Sequence, residues 1–290
     1  MPKPNLFIVG APKCGTTALH LYLRQVPEIY APEEKEMKFF GKDVHPSRGR
    51  LQDYLDQYAA ADQHQYRLDA SPYYLTSKVA CQEIYDFHPT SKIIVSVRNP
   101  VDRMVSHHRT RLKYGDDIPV DFADALRQQD RLAEQGLAST RETLTSYREC
   151  SNYCEPIKRY VDAFGQENVY VMIFDDFYAD PQKETRRILE FLDLDATYQF
   201  QDVEKQRPSD CRSKTLMQWT VNRPALLKYL GKPIPGKYKI RITNWLKRVN
   251  QGHAPRTIAP PLRQQLLADC HPGVSHLSEY LNVDLSAWQK

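Results

Sequence analysis

Lys13, Thr16 and Thr17 cluster around Gly15 in the stretch Gly10-Ala11-Pro12-Lys13-Cys14-Gly15-Thr16-Thr17, directly after the apolar run Leu6-Phe7-Ile8-Val9. A strand that runs into a glycine-framed turn and then a helix aims several backbone N–H groups, and the positive end of the helix dipole, at one spot. An ammonium and two hydroxyls there add charge-assisted hydrogen bonds, so the expected occupant is a phosphate-like anion. The order of residues departs from G-x-x-x-x-G-K-[ST]: Thr16 follows Gly15 where the nucleotide triphosphatase pattern requires lysine, and the lysine comes earlier, at Lys13. A second joint of the same kind follows at Lys92 to Ser106, where an apolar strand ends in Arg98 and Pro100 occupies the first turn of a helix. Between them lies the charged run Glu33-Glu34-Lys35-Glu36-Met37-Lys38, which by composition alone reads as a solvated turn.

The elements that must hold these residues alternate between strand and helix patterns. That predicts an α/β fold, a P-loop-like parallel sheet flanked by helices on both faces. Leu19, Tyr22, Leu23 and Val26 recur at helical spacing and should face the sheet. A short strand is expected at Tyr66 to Asp69, a helix near Ser77 to Phe87, and the main core strand at Ile93 to Val97; its helix carries Val101, Met104, Val105 and His108 on one stripe. Ile157, Tyr160, Val161 and Phe164 mark another helix, which leads through Gly165 to a strand at Val169 to Phe174. Asp180-Pro181 should cap the next helix, with Ile188, Phe191 and Leu192 inward. The 290 residues, 41% of them hydrophobic, suffice for one domain over 1–290 with its own core. From 201 to 261 the rhythm is lost and proline and glycine punctuate the chain, as in a lid or acceptor-side insertion. Its basic segment 237–248 suits an edge strand and an acceptor surface equally. Leu277, Tyr280, Leu281, Leu285 and Trp288 read as a closing helix and tail.

A lysine inside the loop, with Thr16-Thr17 opening the helix, resembles the 5′-phosphosulfate loop of sulfotransferases that use 3′-phosphoadenosine 5′-phosphosulfate (PAPS). The joint at Arg98 and Ser106 resembles that family's site for the 3′-phosphate. The likeness runs from Leu6 to about Ser213 and is nearest to the heparan sulfate sulfotransferase-like branch, as a soluble, bacterial-type member. It implies that Lys13, Cys14, Gly15, Thr16 and Thr17 hold the phosphosulfate, with Lys13 also meeting charge on the departing phosphate. Arg98 and Ser106 would hold the 3′-phosphate.

The same resemblance extends to the acceptor side. Glu36-Met37-Lys38-Phe39-Phe40 is similar to the Glu-x-x-Phe-Phe element whose glutamate is the general base; Glu36 is the matching position, and Glu33 and Glu34 should face solvent. Asp69-Ala70-Ser71-Pro72-Tyr73-Tyr74-Leu75 resembles the strand-turn element that carries a catalytic lysine, yet Ala70 stands at that position. Tyr73 and Tyr74 then line the acceptor pocket or pack beneath it, with Glu36 and Lys38 beside them. Gln206 to Ser213 resembles the late basic loop that closes over the nucleotide, with Arg212 the first candidate and Arg207 the second. His107 is an alternative base, histidine being the device of the small-molecule branch, whereas His108 falls on the apolar stripe as a core residue. Cys14 reads as a small loop residue that becomes reactive only if the helix start lowers its pKa.

Composition narrows the partners. Lys+Arg 40 against Asp+Glu 36 gives a net charge of +4, too mild to argue for nucleic acid and sufficient for a small anionic ligand. No run approaches the roughly 18 apolar residues of a membrane span, the amino terminus has no signal-peptide pattern, and the six cysteines show no metal spacing. The expectation is a cytoplasmic enzyme that moves a sulfuryl group from PAPS to a hydroxyl or amine of a small soluble acceptor, without a metal, its oligomeric state open. A P-loop nucleotide kinase is the first alternative, disfavoured by Thr16 and by Arg98-Asn99 where a magnesium-binding aspartate belongs. A catalytically inactive nucleotide-binding module is the second.

Overall fold

The structure, a computed structural model, describes residues 2–114, 116, 118–137, 146–203, 210–211, 251–252 and 258–289. The mostly apolar runs β1 (Leu6–Gly10), β4 (Lys92–Val97) and β5 (Val169–Ile173) pair in parallel with the short β2 (Ile29–Tyr30) and with β3 (Tyr66–Ala70), which alternates apolar and charged residues, in the order β2-β3-β1-β4-β5. Strands buried on both faces carry such runs because neither face meets water. Phe7 and Val9 of β1, with Ile93, Val95 and Val97 of β4, pack on one face with Ile84, Ile157, Tyr160, Leu277 and Trp288. Leu6 and Ile8, with Leu68 and Ile94, pack on the other with Leu19, Leu23, Ile188 and Leu189.

The described α-helices are α1 (Thr16–Leu23), α2 (Leu51–Asp56), α3 (Ala80–Phe87), α4 (Pro100–Tyr114), α5 (Phe122–Glu134), α6 (Cys154–Phe164), α7 (Phe174–Ala179), α8 (Pro181–Phe191) and α9 (Pro260–Leu281), all but α4 and α5 lending residues to these two faces. A satellite cluster of Val101, Met104, Phe122, Leu126, Tyr147 and Leu266 joins α4, α5 and α9. The α/β class, the parallel sheet and helices on both faces agree with the expectation. Asp180 caps α8, its side chain accepting from the Lys183 N–H at 3.0 Å.

Boundaries differ in three places. The last strand stops at Ile173, and Phe174 opens a short helix instead of ending the strand. The helix expected from Ser77 begins at Ala80, because the Ser77 hydroxyl accepts from the Ala80 N–H at 2.9 Å and so serves the helix entry from outside it. Pro260 and Pro261 open α9, so regular helix begins within the last two residues of the 201–261 stretch. Of the expected lid, β6 (Asp210–Cys211) and β7 (Gln251–Gly252) form an antiparallel pair; Arg207, Arg212 and the basic segment 237–248 lie outside the described residues.

His20 of α1 carries a readable energetic consequence. It is buried, and its Nδ1 has no hydrogen-bond partner among the described residues. Burial, aided by the charges of Lys35 and Arg24, pushes its pKa down to about 4. The unfolded chain takes up this proton near the ordinary histidine value while the folded chain does not, so stability falls as pH drops from about 6.5 toward 4. Chemical denaturation at about pH 7 and about pH 5 should therefore cost the parent about 2 kcal/mol more than a His20→Gln variant. Equal losses in the two proteins would show that His20 is not held neutral.

Candidate active site

The cradle is built by close backbone approach. A Cβ on Gly10 would lie 2.5 Å from the Leu75 Cβ and 2.8 Å from the Pro72 carbonyl oxygen, so only glycine lets the turn after β3 sit against the end of β1. The Leu75 N–H donates to the Val9 carbonyl at 2.7 Å and fixes that approach. β4 grips the loop from its other side: the Ala11 N–H donates to the Ser96 carbonyl at 2.6 Å, and the Ser96 hydroxyl donates to the Cys14 carbonyl. Lys13 and Gly15 take left-handed conformations, φ 74° and 81°. For lysine that conformation costs on the order of 1 kcal/mol or more, and such strain concentrates at functional sites. Burial and the neighbouring Lys113 ammonium hold the Lys13 pKa below its usual value, while the Glu36 carboxylate acts the other way. Thr16 is buried and Thr17 half-buried at the amino end of α1. Cys14 is fully buried, and burial pushes its thiol up to about 12, which makes it an inert loop residue.

Arg98 stands at the carboxyl end of β4, the strand next to β1, where the strand order reverses and α/β sheets bind ligands. Its guanidinium lies over the Phe174 ring at 4.5 Å, and a Cβ on Gly15 would lie 2.9 Å from the same ring. Phe174 therefore spaces the cradle from the arginine. The Arg98 Nε is buried and has no hydrogen-bond partner among the described residues, a donor that an anion would satisfy. The Tyr153 hydroxyl donates to the Arg98 carbonyl at 2.9 Å and lies 4.0 Å from the Cys14 sulfur, so one phenol braces both joints. Asn99 caps α4 by accepting from the Val101 and Asp102 N–H groups at 2.9 and 3.2 Å. Ser106 is half-buried in the second turn of that helix.

The acidic run is held by a buried carboxylate. Asp69, 1% exposed at the end of β3, accepts from Ser71 Oγ at 2.7 Å, Tyr54 OH at 2.9 Å and Tyr74 OH at 3.0 Å. Two of those hydroxyls accept in turn: Ser71 from the Lys38 N–H at 3.2 Å, Tyr74 from the Phe39 and Phe40 N–H groups at 3.0 and 3.3 Å. This anchorage holds Glu36 and Lys38 at φ 66° and 53°. The Glu36 carboxylate sits between two ammoniums, 3.5 Å from Lys35 Nζ and 3.4 Å from Lys38 Nζ, while Glu33 and Glu34 are exposed. Lys35 is largely buried, and burial lowers its pKa against the opposing pull of Glu36. Tyr74 is fully buried and supports this loop from beneath.

Tyr73 is half-buried, and its hydroxyl lies 3.2 Å from His107 Nε2. His107 is buried, with Nδ1 3.4 Å from an Arg103 guanidinium nitrogen. His108 is spent in the core, its ring nitrogens 2.9 Å from Tyr147 OH and 3.0 Å from the Val120 carbonyl. Lys13, Glu36, Lys35 and Lys113 share one electrostatic neighbourhood, and Arg98 meets the cradle through Phe174. Asp69, Phe174 and Arg103 were not among the expected site residues. A charged residue at the end of a buried strand, or in the buried stripe Pro100, Arg103, His107, is the signal that marks two of them.

The arrangement brings together a strand–turn–helix joint with a buried lysine, a second cation at the end of the adjacent strand, and a carboxylate loop that acts electrostatically on that lysine. The sulfotransferase domain profile matches residues 3–224, and the chain belongs to that family. It is 29% identical over 191 residues to heparan sulfate glucosamine 3-O-sulfotransferase 3A1 of Mus musculus, covering 66% of this chain and 46% of that protein. To carbohydrate sulfotransferase 15 of Mus musculus it is 24% identical over 298 residues, 79% of this chain and 51% of that one. The chain thus spans about half the length of these curated relatives. A sulfotransferase crystal structure from Alicyclobacillus acidocaldarius matches with a TM-score of 0.75 and 26% identity over 100% of both chains. Among the described residues no helix is long and apolar enough to cross a membrane, and no group of three or more His, Cys, Asp or Glu could hold a metal ion.

Asp69→Asn replaces a carboxylate that accepts from three hydroxyls with an amide whose NH₂ must face one of them. An unfolding free energy lower by about 1–3 kcal/mol is expected. An unchanged value in urea titration would mean that the hydroxyl network does not depend on the charge.

Proposed function

We propose that the chain transfers a sulfuryl group from PAPS to a hydroxyl or amine of a small acceptor, by in-line displacement with Glu36 as base. The observation that carries this reading is the pair of cationic sites on adjacent strand ends, with the buried Arg98 Nε lacking a partner among the described residues. Lys13, Thr16, Thr17 and the N–H groups from Cys14 to Thr17 suit a 5′-phosphosulfate, and Arg98 with Ser106 suits a 3′-phosphate. Two separate phosphate sites fit this donor better than a nucleoside triphosphate. Arg207 and Arg212 are assigned to closure over the nucleotide, within a lid or insertion spanning 201–261 of one domain.

In the reaction the acceptor heteroatom attacks sulfur while Glu36 takes its proton, and the bridging oxygen leaves with the electron pair of the broken S–O bond. Lys13 meets the charge that grows on that oxygen, an interaction stronger in the transition state than before it. Lys35 and Lys38 hold the Glu36 carboxylate in place, and Lys38 and Tyr73 border the acceptor. The names of the relatives favour a saccharide among sugars, glycolipid head groups and polar natural products. Ala70, where that branch carries a catalytic lysine, argues for a different acceptor from theirs. The free thiols Cys14, Cys81, Cys150, Cys154 and Cys270 suit a reducing, cytoplasmic setting.

Calorimetric titration of adenosine 3′,5′-bisphosphate against AMP tests the donor assignment. The bisphosphate should bind more tightly by about 1.5–3 kcal/mol for each charge-assisted contact to the 3′-phosphate, and Arg98→Ala should erase most of the difference. Equal affinities in the parent would remove Arg98 and Ser106 from the site; preference for magnesium ATP would return the kinase alternative.

A further inference from the structure

Arg103 is fully buried, and its described hydrogen bonds go to neutral groups alone: Nε to Ser151 Oγ at 2.7 Å, Nη2 to the Tyr147 carbonyl, and Nη1 toward His107 Nδ1 at 3.4 Å. A guanidinium can only donate. His107 Nδ1 must therefore present a lone pair to it, and the ring proton must sit on Nε2. That nitrogen faces the Tyr73 hydroxyl at 3.2 Å, so the phenol oxygen accepts from the histidine. Among the described residues the Tyr73 hydroxyl has no other hydrogen-bond partner, and its own proton is left to point elsewhere. The groups that act on the imidazole all disfavour a second proton: burial first, then Arg103 and Arg111, Lys13 from the cradle, and His108. Burial likewise raises the Tyr73 pKa, so the phenol keeps its proton.

Both nitrogens of His107 are thus committed, and it has no free lone pair with which to act as a base. Tyr73 stands in the turn that packs on Gly10 beside the cradle, near enough to Glu36 for that carboxylate to influence its ionisation, and His107 feels Lys13. A hydrogen-bond acceptor (Glu36) and a donor (Tyr73) are therefore neighbours beside the turn that follows β1.

Resting on the sulfuryl-transfer reading, we infer that Tyr73 is a catalytic hydrogen-bond donor to the acceptor atom, oriented by His107 and Arg103, and that the site is built for hydroxyl acceptors over amines. A hydroxyl oxygen has two lone pairs: one attacks sulfur, the other accepts from Tyr73, and the O–H proton goes to Glu36. A neutral amine has one lone pair, which must attack, so the Tyr73 proton would face an N–H or nothing. Such a mismatch of donor against donor is how polar sites reject near-isosteres. His107 and Arg103 are positioning residues, because they reach the acceptor only through the phenol.

Two measurements test this. The first is transfer of labelled sulfuryl from PAPS to matched alcohol and amine pairs, a hexose with its amino sugar and a phenol with its aniline. The parent should favour the hydroxyl member at least about tenfold, and Tyr73→Phe should lose about 10- to 100-fold in turnover on it with bisphosphate affinity unchanged. His107→Leu should match that loss and add nothing to Tyr73→Phe, whereas His107→Gln, whose amide accepts from Arg103 and donates to Tyr73, should recover most of the rate. The second uses the parent alone, so that folding of variants is not at issue: ¹⁵N–¹H spectra of the histidines should keep the His107 proton on Nε2 from about pH 8 to about pH 5. A proton on Nδ1, preference for the amine members, or a Tyr73→Phe variant at the parent rate would overturn the inference. Failure of the parent to bind adenosine 3′,5′-bisphosphate would instead overturn the sulfuryl-transfer reading beneath it.

Discussion

The carboxylate of Asp69 sets the geometry of the loop that carries Glu36. Burying a charge is costly unless its oxygens are fully bonded, and here three hydroxyls converge on it. Because Ser71 and Tyr74 spend their protons on Asp69, their oxygens are left as acceptors, and the N–H groups of Lys38, Phe39 and Phe40 fill them. Left-handed Glu36 and Lys38 cost about 1–3 kcal/mol each, and three N–H bonds of about 1 kcal/mol each are of the size needed to offset this. The stacking of Phe39 on Tyr54, with centroids 4.4 Å apart and planes 8° from parallel, ties the loop to the same network. A strand end thereby fixes the position of a carboxylate 33 residues earlier in the chain.

Around the turn after β1 the constraint is close approach to glycine. Gly10 lets the Ser71–Leu75 turn touch the cradle, and Gly15 lets the Phe174 ring approach from β5. Three strand ends thus converge: β1 leads into the Gly10–Gly15 turn, β4 carries the Ser96 grip and leads into Arg98, and β5 leads into Phe174, whose ring lies between them. Since the Ser71–Leu75 turn also bonds the backbone of Lys38, Phe39 and Phe40, the turn after β1 and the loop that carries Glu36 meet at one piece of chain. In-line transfer demands that kind of alignment, where an error of about 1 Å can cost two orders of magnitude in rate.

Local sequence made the two strand–turn–helix joints legible. The turn after β1 and the Arg98 joint are each contiguous in sequence, their strands are mostly apolar, and Pro100 marks the start of α4, so both joints could be located as strand–turn–helix units before any contact was known. Glu36 was reached only through a short resemblance, since the charged run by itself reads as surface, and two of its three glutamates are indeed exposed. Asp69, Phe174 and Arg103 went unread because their partners lie far along the chain: Ser151 and Tyr147 for Arg103, Tyr54 for Asp69, Gly15 for Phe174. Phe174 was also hidden by its apolar neighbours, which read as a longer strand. His107 shows the same limit, for its partners and tautomer follow from a buried arginine four residues away that the apolar stripe alone does not identify.

If Asp69 acts on chemistry by holding the Glu36 loop, its contribution must vanish when Glu36 no longer takes a proton. A double-mutant cycle of Asp69→Asn and Glu36→Gln, read as single-turnover sulfuryl transfer at saturating PAPS, tests this most directly. The account predicts that Glu36→Gln alone loses about 10²- to 10⁴-fold, that Asp69→Asn alone loses a substantial part of that, and that the double variant is no slower than Glu36→Gln. Fully multiplicative losses would contradict it, for Asp69 would then serve the reaction by a route that does not pass through Glu36.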